Sequence, residues 1–289
     1  MQNGLTGMER AQVLTDALPH IRKYTGQTVV VKFGGHAMES EELKQQVMED
    51  IVLLHLIGVR VVLVHGGGPE ITQMMEKLGK ESVFVDGLRV TDEETVEIAQ
   101  MVLAGKINKS LVTLLETWGG NAVGISGMDG RLIEAEKKDP KLGYVGEIVQ
   151  VNIQPVIDLL DRGYIPVIST LGCDAEGAIY NINGDTAAAH IAGALEASCM
   201  ILMTDVPGVL KDPEDPSSLY PELSVDEAEE LKAQGVIAGG MIPKVDCCAL
   251  ALEKGASHVV IMDGTVPHAI LTELLTYEGA GTYIKPTQA

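Results

Sequence analysis

The chain has 289 residues, with 41 acidic against 21 basic side chains and a formal net charge of −20. A field of that sign repels nucleic acid and anionic membrane surfaces. Hydrophobic residues make up 46% of the chain but aromatics only 3%, so a large core must be packed from aliphatic side chains, and stacking on bases is not its main business.

In chain order, the residues before Met8 are polar and glycine-containing and are expected to be loose. Met8 to Tyr24 reads as a helix with Leu14, Leu18 and Ile21 on one face, kinked at Pro19. It has no obvious place inside a domain and is either a lid or an oligomer contact. Thr28 to Val31 is an apolar β-branched run that leads directly into Lys32-Phe33-Gly34-Gly35. This is a buried strand ending in a cation and a flexible turn. Ser40 to Ile57 follows as a helix with one buried face. The arrangement then recurs: strand Val59 to Val64 opens into His65-Gly66-Gly67-Gly68-Pro69, with Pro69 placed to begin a helix to Leu78. Two glycine turns at strand ends, one containing Lys32, point to a shared polyanion.

Thr91-Asp92-Glu93-Glu94 has the pattern of a capping box, and helices are expected from there to Trp118. A strand follows at Asn121 to Ile125. Arg131 to Val151 reads as a β-hairpin off the main sheet. Alternation resumes with a helix to Asp161, strands Ile165 to Ser169 and Ala178 to Tyr180, helix Asp185 to Ala197 and strand Cys199 to Met203. A proline-rich acidic loop from Asp205 to Pro221 precedes helices Val225 to Ala233 and Met241 to Lys254, strand Val259 to Met262 and helix Pro267 to Leu275. This order specifies an α/β three-layer αβα sandwich with a mainly parallel central sheet. The expected divisions are an N-terminal extension (1–26), an N-lobe (27–174) and a C-lobe (175–289).

The four cysteines lack metal or C-x-x-C spacing, so they read as free thiols in a reducing compartment. No signal core is evident, and the expectation is a soluble, cytoplasmic protein. A Walker loop is absent, since Gly105-Lys106 is followed by Ile107, and there is no G-x-S-x-G or H-E-x-x-H. No protein-borne metal site is expected.

Six segments in order, Val31-Lys-Phe-Gly-Gly35, Val64-His-Gly-Gly-Gly-Pro69, Gly87-Leu-Arg-Val-Thr91, Asn181-Ile-Asn-Gly-Asp185, Thr204-Asp-Val-Pro-Gly-Val209 and Gly239-Gly-Met-Ile-Pro-Lys244, together resemble the amino acid kinase family. The resemblance extends from Thr28 to Ile284. It implies transfer of the γ-phosphoryl of ATP, with Mg²⁺ carried mainly by the phosphates, to the side-chain carboxylate of N-acetyl-L-glutamate, the second step of arginine biosynthesis. A glutamate carboxyl, with a pKa of about 4.3, is already ionised at neutral pH, so no general base is needed. The task is to align two anions and neutralise moving charge. By resemblance Lys32 and Lys244 lie along the phosphoryl with Asp185 between them. Gly67, Gly68, Arg89 and Asn181 bind the acceptor, and Arg89 suits its α-carboxylate. Gly35, Gly66, Thr204, Asp205, Gly208 and Leu210 serve the nucleotide and its phosphates.

Each residue also has an ordinary reading: Lys32 solvated, Arg89 paired on the surface with Asp86 or Asp92, Asp185 an N-cap, Asn181 and Asn183 flanking a turn. His36 and His65 are read as structural, and Asp226 to Glu230 as a solvated helix face. The N-terminal helix resembles that of arginine-inhibited hexamers (trimers of dimers) in the family. His268, Glu278 and Gly281 resemble their L-arginine site. In some relatives a PII signal protein docks on the hexamer; nothing in this sequence shows that here. Two rivals stand beside this reading: a sister kinase acting on aspartate, glutamate, carbamate or a carrier-linked aminoadipate, and a catalytically silent arginine sensor.

Overall fold

The computed structural model describes the chain apart from residues 1–3, 5, 39, 288 and 289, and apart from the side chain of His36, so the structural reading of that histidine lies outside the described residues. Order begins earlier than Met8. Thr6 forms a capping box with Glu9 and starts helix α1 (Gly7–Asp16). The break that Pro19 was expected to impose falls at Ala17, and α2 (Leu18–Tyr24) takes the proline into its first turn, where a missing N–H costs nothing.

β1 (Thr28–Phe33), α3 (Glu41–Leu56), β2 (Arg60–His65) and α4 (Gly68–Lys77) follow the expected alternation. A two-stranded ribbon, β3 (Phe84–Val85) and β4 (Leu88–Arg89), leads to α5 (Glu93–Gln100). The cap of α5 is Asp92 and not Thr91: the Asp92 carboxylate accepts from both the amide and the hydroxyl of Thr95. Thr91 instead bridges to Gly143. The expected run of helix to Trp118 contains a π-helical segment, Met101–Ile107, before α6 (Asn108–Thr117).

Then come β5 (Ala122–Ser126), the hairpin β6 (Ile133–Lys137) and β7 (Gly146–Val151), α7 (Gln154–Asp161), β8 (Ile165–Ser169), β9 (Leu171–Cys173) and β10 (Ile179–Asn181). The last third holds α8 (Gly184–Ala194), β11 (Cys199–Thr204), β12 (Glu222–Ser224), α9 (Val225–Ala233), α10 (Met241–Glu253), β13 (Val259–Asp263), α11 (Ala269–Leu275) and β14 (Gly281–Lys285). The ribbon β3-β4 and the strands β9 and β12 have no counterpart in the sequence reading.

Among the described residues, eight strands form the central sheet in the order β12-β14-β13-β11-β1-β2-β8-β5, and every neighbouring pair is parallel except β13-β14. A second sheet, β10-β9-β6-β7, carries the hairpin. Successive side chains of a strand face opposite ways. On β1, Val29, Val31 and Phe33 join a core with α3, α6 and α11, whereas Val30 joins one with α8 and α10. The result is three layers with two aliphatic cores. Lys32 shares the face of Val30, so its side chain is delivered toward α8. The four cysteines are free thiols.

Two histidines are buried within this framework, His65 with no exposure and His258 at 7%. Burial pushes the pKa of each down to about 4. The unfolded chain, with ordinary imidazoles near 6.5, therefore takes up more protons than the folded one between pH 6.5 and 4. Stability from these rings is complete above pH 6.5 and lost as pH falls toward 4, by on the order of 3 kcal/mol per ring. Urea denaturation across pH 4 to 7 should show that decline, and H258F should flatten its slope.

Candidate active site

The C-terminal ends of the parallel strands and the turns that follow them gather the predicted residues. Lys32, at the end of β1, extends over Gly34, where a Cβ would lie 2.9 Å from Nζ, and against Gly184, where a Cβ would lie 3.4 Å from Cε. Larger side chains at these points would displace the ammonium group. Lys32 Nζ lies 2.8 Å from Asp185 Oδ1, and Lys244 Nζ from the first turn of α10 lies 3.2 Å from Oδ2 of the same carboxylate. One aspartate thus spans two ammonium groups from segments more than 200 residues apart. Burial alone would raise the Asp185 carboxyl, but the two lysines outweigh it and hold the group below the ordinary carboxylate range. Asp185 is not the cap of α8. Asn183 takes that role and accepts from the amides of Asp185 and Thr186.

A cleft of about 290 Å³ contains Lys32, Gly66, Gly67, Gly68, Arg89 and Asn181 among its walls. Gly35 also borders it. Arg89 is only 6% exposed and does not pair with Asp86 or Asp92. Its guanidinium donates to Ser82 Oγ at 2.6 Å, Thr72 Oγ1 at 2.7 Å and the Gly68 carbonyl at 2.8 Å, and it lies 4.7 Å from the centre of the Phe84 ring. Among the described residues no carboxylate neutralises it, and Asp92 is taken by Lys80. A buried cation held by neutral groups alone is a receptor for an anion. The Asn181 amide lies 3.5 Å from Thr91 Oγ1.

A second cavity of about 320 Å³ lies between the loop after β11 and the start of α10, with Thr204, Asp205, Gly208, Leu210 and Lys244 on its walls. Gly208 also has a packing reason, because a Cβ there would lie 2.5 Å from the hydroxyl of Thr282, which accepts from the Val209 amide at 2.9 Å. Lys244 borders this cavity while its partner Asp185 borders the first, so the lysine–aspartate–lysine bracket stands between the two. The largest cavity, about 810 Å³, lies between α3, α4 and α6 and contains none of the predicted residues.

The residues matched to an arginine site are dispersed among other tasks. His268, in a left-handed conformation before α11, lies 2.6 Å from Asp50 through Nδ1. Glu278 is exposed. At Gly281 on β14 a Cβ would lie 2.1 Å from the Ile261 carbonyl. Two residues beside the site escaped the sequence reading. Leu103 borders the cleft of about 290 Å³ from the π-helical segment, and Asn108 is buried against His65. A π insertion has no periodicity to give it away. Among the described residues no cluster of three or more His, Cys, Asp or Glu is placed to hold a metal ion, and no helix is long and apolar enough to cross a membrane.

The fold and the charged cleft are those of a phosphoryl-transfer enzyme, and comparison with known proteins places the chain among kinases. The chain belongs to the amino acid kinase family, whose model matches residues 27–263. It is 53% identical over 288 residues to the acetylglutamate kinase of Desulfitobacterium hafniense, covering 96% of this chain and 97% of that one. It is 50% identical to the acetylglutamate kinase of Moorella thermoacetica over 98% and 99% of the two chains. Among solved structures, N-acetylglutamate synthase from Neisseria gonorrhoeae complexed with coenzyme A and N-acetyl-glutamate superimposes with a TM-score of 0.85 at 27% identity. The match covers 96% of this chain but only 64% of that longer one. Giardia carbamate kinase, at 18% identity and a TM-score of 0.68 over 91% of this chain and 99% of that one, shares the fold.

Asp185→Ala would leave two ammonium groups facing one another in a half-buried site. The expected loss of stability is about 1 to 3 kcal/mol, less for Asp185→Asn, and diminishes with added salt. Urea denaturation at low and high ionic strength measures it.

Proposed function

We propose that the protein transfers the γ-phosphoryl group of ATP to the side-chain carboxylate of N-acetyl-L-glutamate. The observation that carries this reading is the Lys32–Asp185–Lys244 bracket, standing between a cleft with an unneutralised Arg89 and a second cavity of nucleotide-loop character. The strong similarity to acetylglutamate kinases supports the choice of acceptor. In this reading Arg89 pairs with the α-carboxylate of the acceptor, and Asn181, Gly67 and Gly68 hold the rest of it. Gly35 and Gly66 face the phosphates, and Thr204, Asp205, Gly208 and Leu210 hold the nucleotide. The acceptor carboxylate attacks directly, already ionised, and no side chain need remove a proton. Lys32 and Lys244 follow the charge as the phosphoryl passes between oxygens, and Asp185 keeps both ammonium groups aimed. Mg²⁺ enters with ATP as part of the substrate, carried by the phosphates.

The acceptor cleft draws mostly on residues 27–174 and the nucleotide cavity lies wholly within residues 175–289, which supports a division into two lobes. The extension exposes Met8, Val13, Leu14 and Leu18, and α1 buries none of its residues in this chain. That uncovered apolar surface supports the oligomer-contact reading over a lid, and the assembly proposed is a cytoplasmic hexamer. Feedback inhibition by L-arginine through His268, Glu278 and Gly281 is the corresponding regulatory proposal. It requires arginine to bind one conformation better than another.

A coupled ADP-release assay tests the activity. Turnover is expected with N-acetyl-L-glutamate, far less with free glutamate or aspartate, and a decline on adding arginine. Lack of any ADP release would instead favour the silent-sensor rival. Removing either ammonium group, by Lys32→Ala or Lys244→Ala, should cut kcat by roughly 10²- to 10³-fold. Arg89→Lys should act differently, raising KM for N-acetyl-L-glutamate about tenfold or more while leaving KM for ATP within about twofold.

A further inference from the structure

The sequence reading left His65 without a chemical task, yet the described structure commits both of its ring nitrogens. The ring has no solvent exposure. Nδ1 lies 3.0 Å from the carbonyl oxygen of Gly66, and Nε2 lies 3.2 Å from Nδ2 of Asn108. A carbonyl only accepts, so Nδ1 carries the hydrogen and Nε2 presents a lone pair. That lone pair meets a donor, because the Asn108 amide is itself oriented. Its Nδ2 also reaches the Val167 carbonyl at 2.9 Å and the Ile125 carbonyl at 3.2 Å, so its two hydrogens are shared among three acceptors, while its Oδ1 accepts from Lys109 Nζ at 3.0 Å. The same Asn108 requires glycine at position 124, where a Cβ would lie 2.0 Å from Oδ1.

The consequence lies one peptide further on. In a planar trans peptide the carbonyl and the following N–H point in opposite directions. With the Gly66 carbonyl turned inward to His65, the N–H of Gly67 must turn outward, and Gly66 and Gly67 both border the acceptor cleft. No acceptor for that N–H appears among the described residues. From the flank, the π-helical segment closes in on Gly67: a Cβ there would lie 2.2 Å from Ile107 Cδ1 and 2.9 Å from Leu103 Cδ2. Asn108 follows that segment directly.

We infer that His65 is a positioning residue for phosphoryl transfer: held in one tautomer by Asn108, it locks the Gly66–Gly67 peptide with its N–H facing the acceptor cleft. The inference rests on the proposed function for its chemistry but not for its geometry. Burial keeps the ring neutral, as the arrangement requires, since a second ring N–H would confront the Asn108 donor.

Three variants test it. His65→Leu fills the space without either hydrogen bond. His65→Asn carries an amide NH₂ near the position of Nδ1. Asn108→Asp places an acceptor opposite Nε2, which would draw the hydrogen there and leave Nδ1 unable to donate to Gly66. The expected result is a fall in kcat for N-acetyl-L-glutamate of about 10- to 100-fold in His65→Leu and Asn108→Asp, on the scale of a lost preorganised donor. His65→Asn should recover most of it. Affinity for the non-hydrolysable analogue AMP-PNP, by calorimetry, should fall by less than turnover in His65→Leu and Asn108→Asp, because the nucleotide cavity itself is untouched even where the Gly66 peptide moves.

Nitrogen NMR of the parent should show the Nδ1–H tautomer at His65, and Asn108→Asp should switch it to Nε2–H. Crystal structures should find the Gly66 carbonyl turned away from its parent orientation in His65→Leu. An Nε2–H tautomer in the parent, or folded His65→Leu with parental turnover and an unmoved Gly66 carbonyl, would overturn the inference. So would equal loss of turnover and AMP-PNP affinity in all variants. If the parent itself failed to phosphorylate N-acetyl-L-glutamate, the substrate reading would fall, and the tautomer and carbonyl measurements would still decide the lock.

Discussion

The rest of the structure depends on one carboxylate. Asp185 lies within 2.8 Å of Lys32 and 3.2 Å of Lys244, and without it two like charges would be held close in a site where burial penalises each. The pair tie together β1, the first turn of α8 and the first turn of α10, elements separated widely in sequence. β1 stands at the middle of the central sheet, parallel to both β2 and β11. Its end is therefore the place from which one side chain reaches the carboxylate shared between α8 and α10. The aliphatic cores on either side of β1 fix its register, and the alternation of its side chains then decides that Lys32 and not Phe33 faces α8.

An overall charge of −20 opposes the gathering of anions on the molecule at large, and the exception is local. Exposed acidic side chains, such as those of α9, are screened by water and salt over about 10 Å. Lys32 and Arg89 are buried at the bottom of a cleft walled by glycines, where their fields are screened far less. The net charge then acts at long range, and the few buried cations act at short range.

Much of the architecture was legible because it rests on signals that survive in sequence. β8 and α9 occupy the residues expected of them, and β1, β2 and β11 lie within a residue or two, because apolar runs of strand length and a helix opened by the Ser224–Glu227 capping box have few alternatives. The short strands β9 and β12 were missed, since three residues carry too little periodicity. The cap of α5 was misplaced by one residue because Thr91 and Asp92 are both good caps, and only the pairing of Thr91 with the Gly143 strand region decides between them. Arg89 shows the limit most plainly. From the sequence, Asp86 and Asp92 were its nearest partners, but the ribbon β3-β4 turns it inward onto Ser82, Thr72 and a carbonyl, and Lys80 takes Asp92 instead.

The π-helical segment was invisible for a different reason, and it shows how a local irregularity reaches the chemistry. A regular α-helix from Glu93 to Thr117 would carry every residue after the insertion about 100° further round the axis for each residue gained. The extra residue lets Val102, Leu103 and Ile107 stay in the core with α4 and β2 while Asn108 enters the sheet beside His65. The helix is thus reset between two partners: before the insertion it packs on α4 and β10, and after it on β5 and β8 of the central sheet. Gly67 lies where those two demands meet, and a Cβ there would have to push aside the terminal methyls of Ile107 and Leu103.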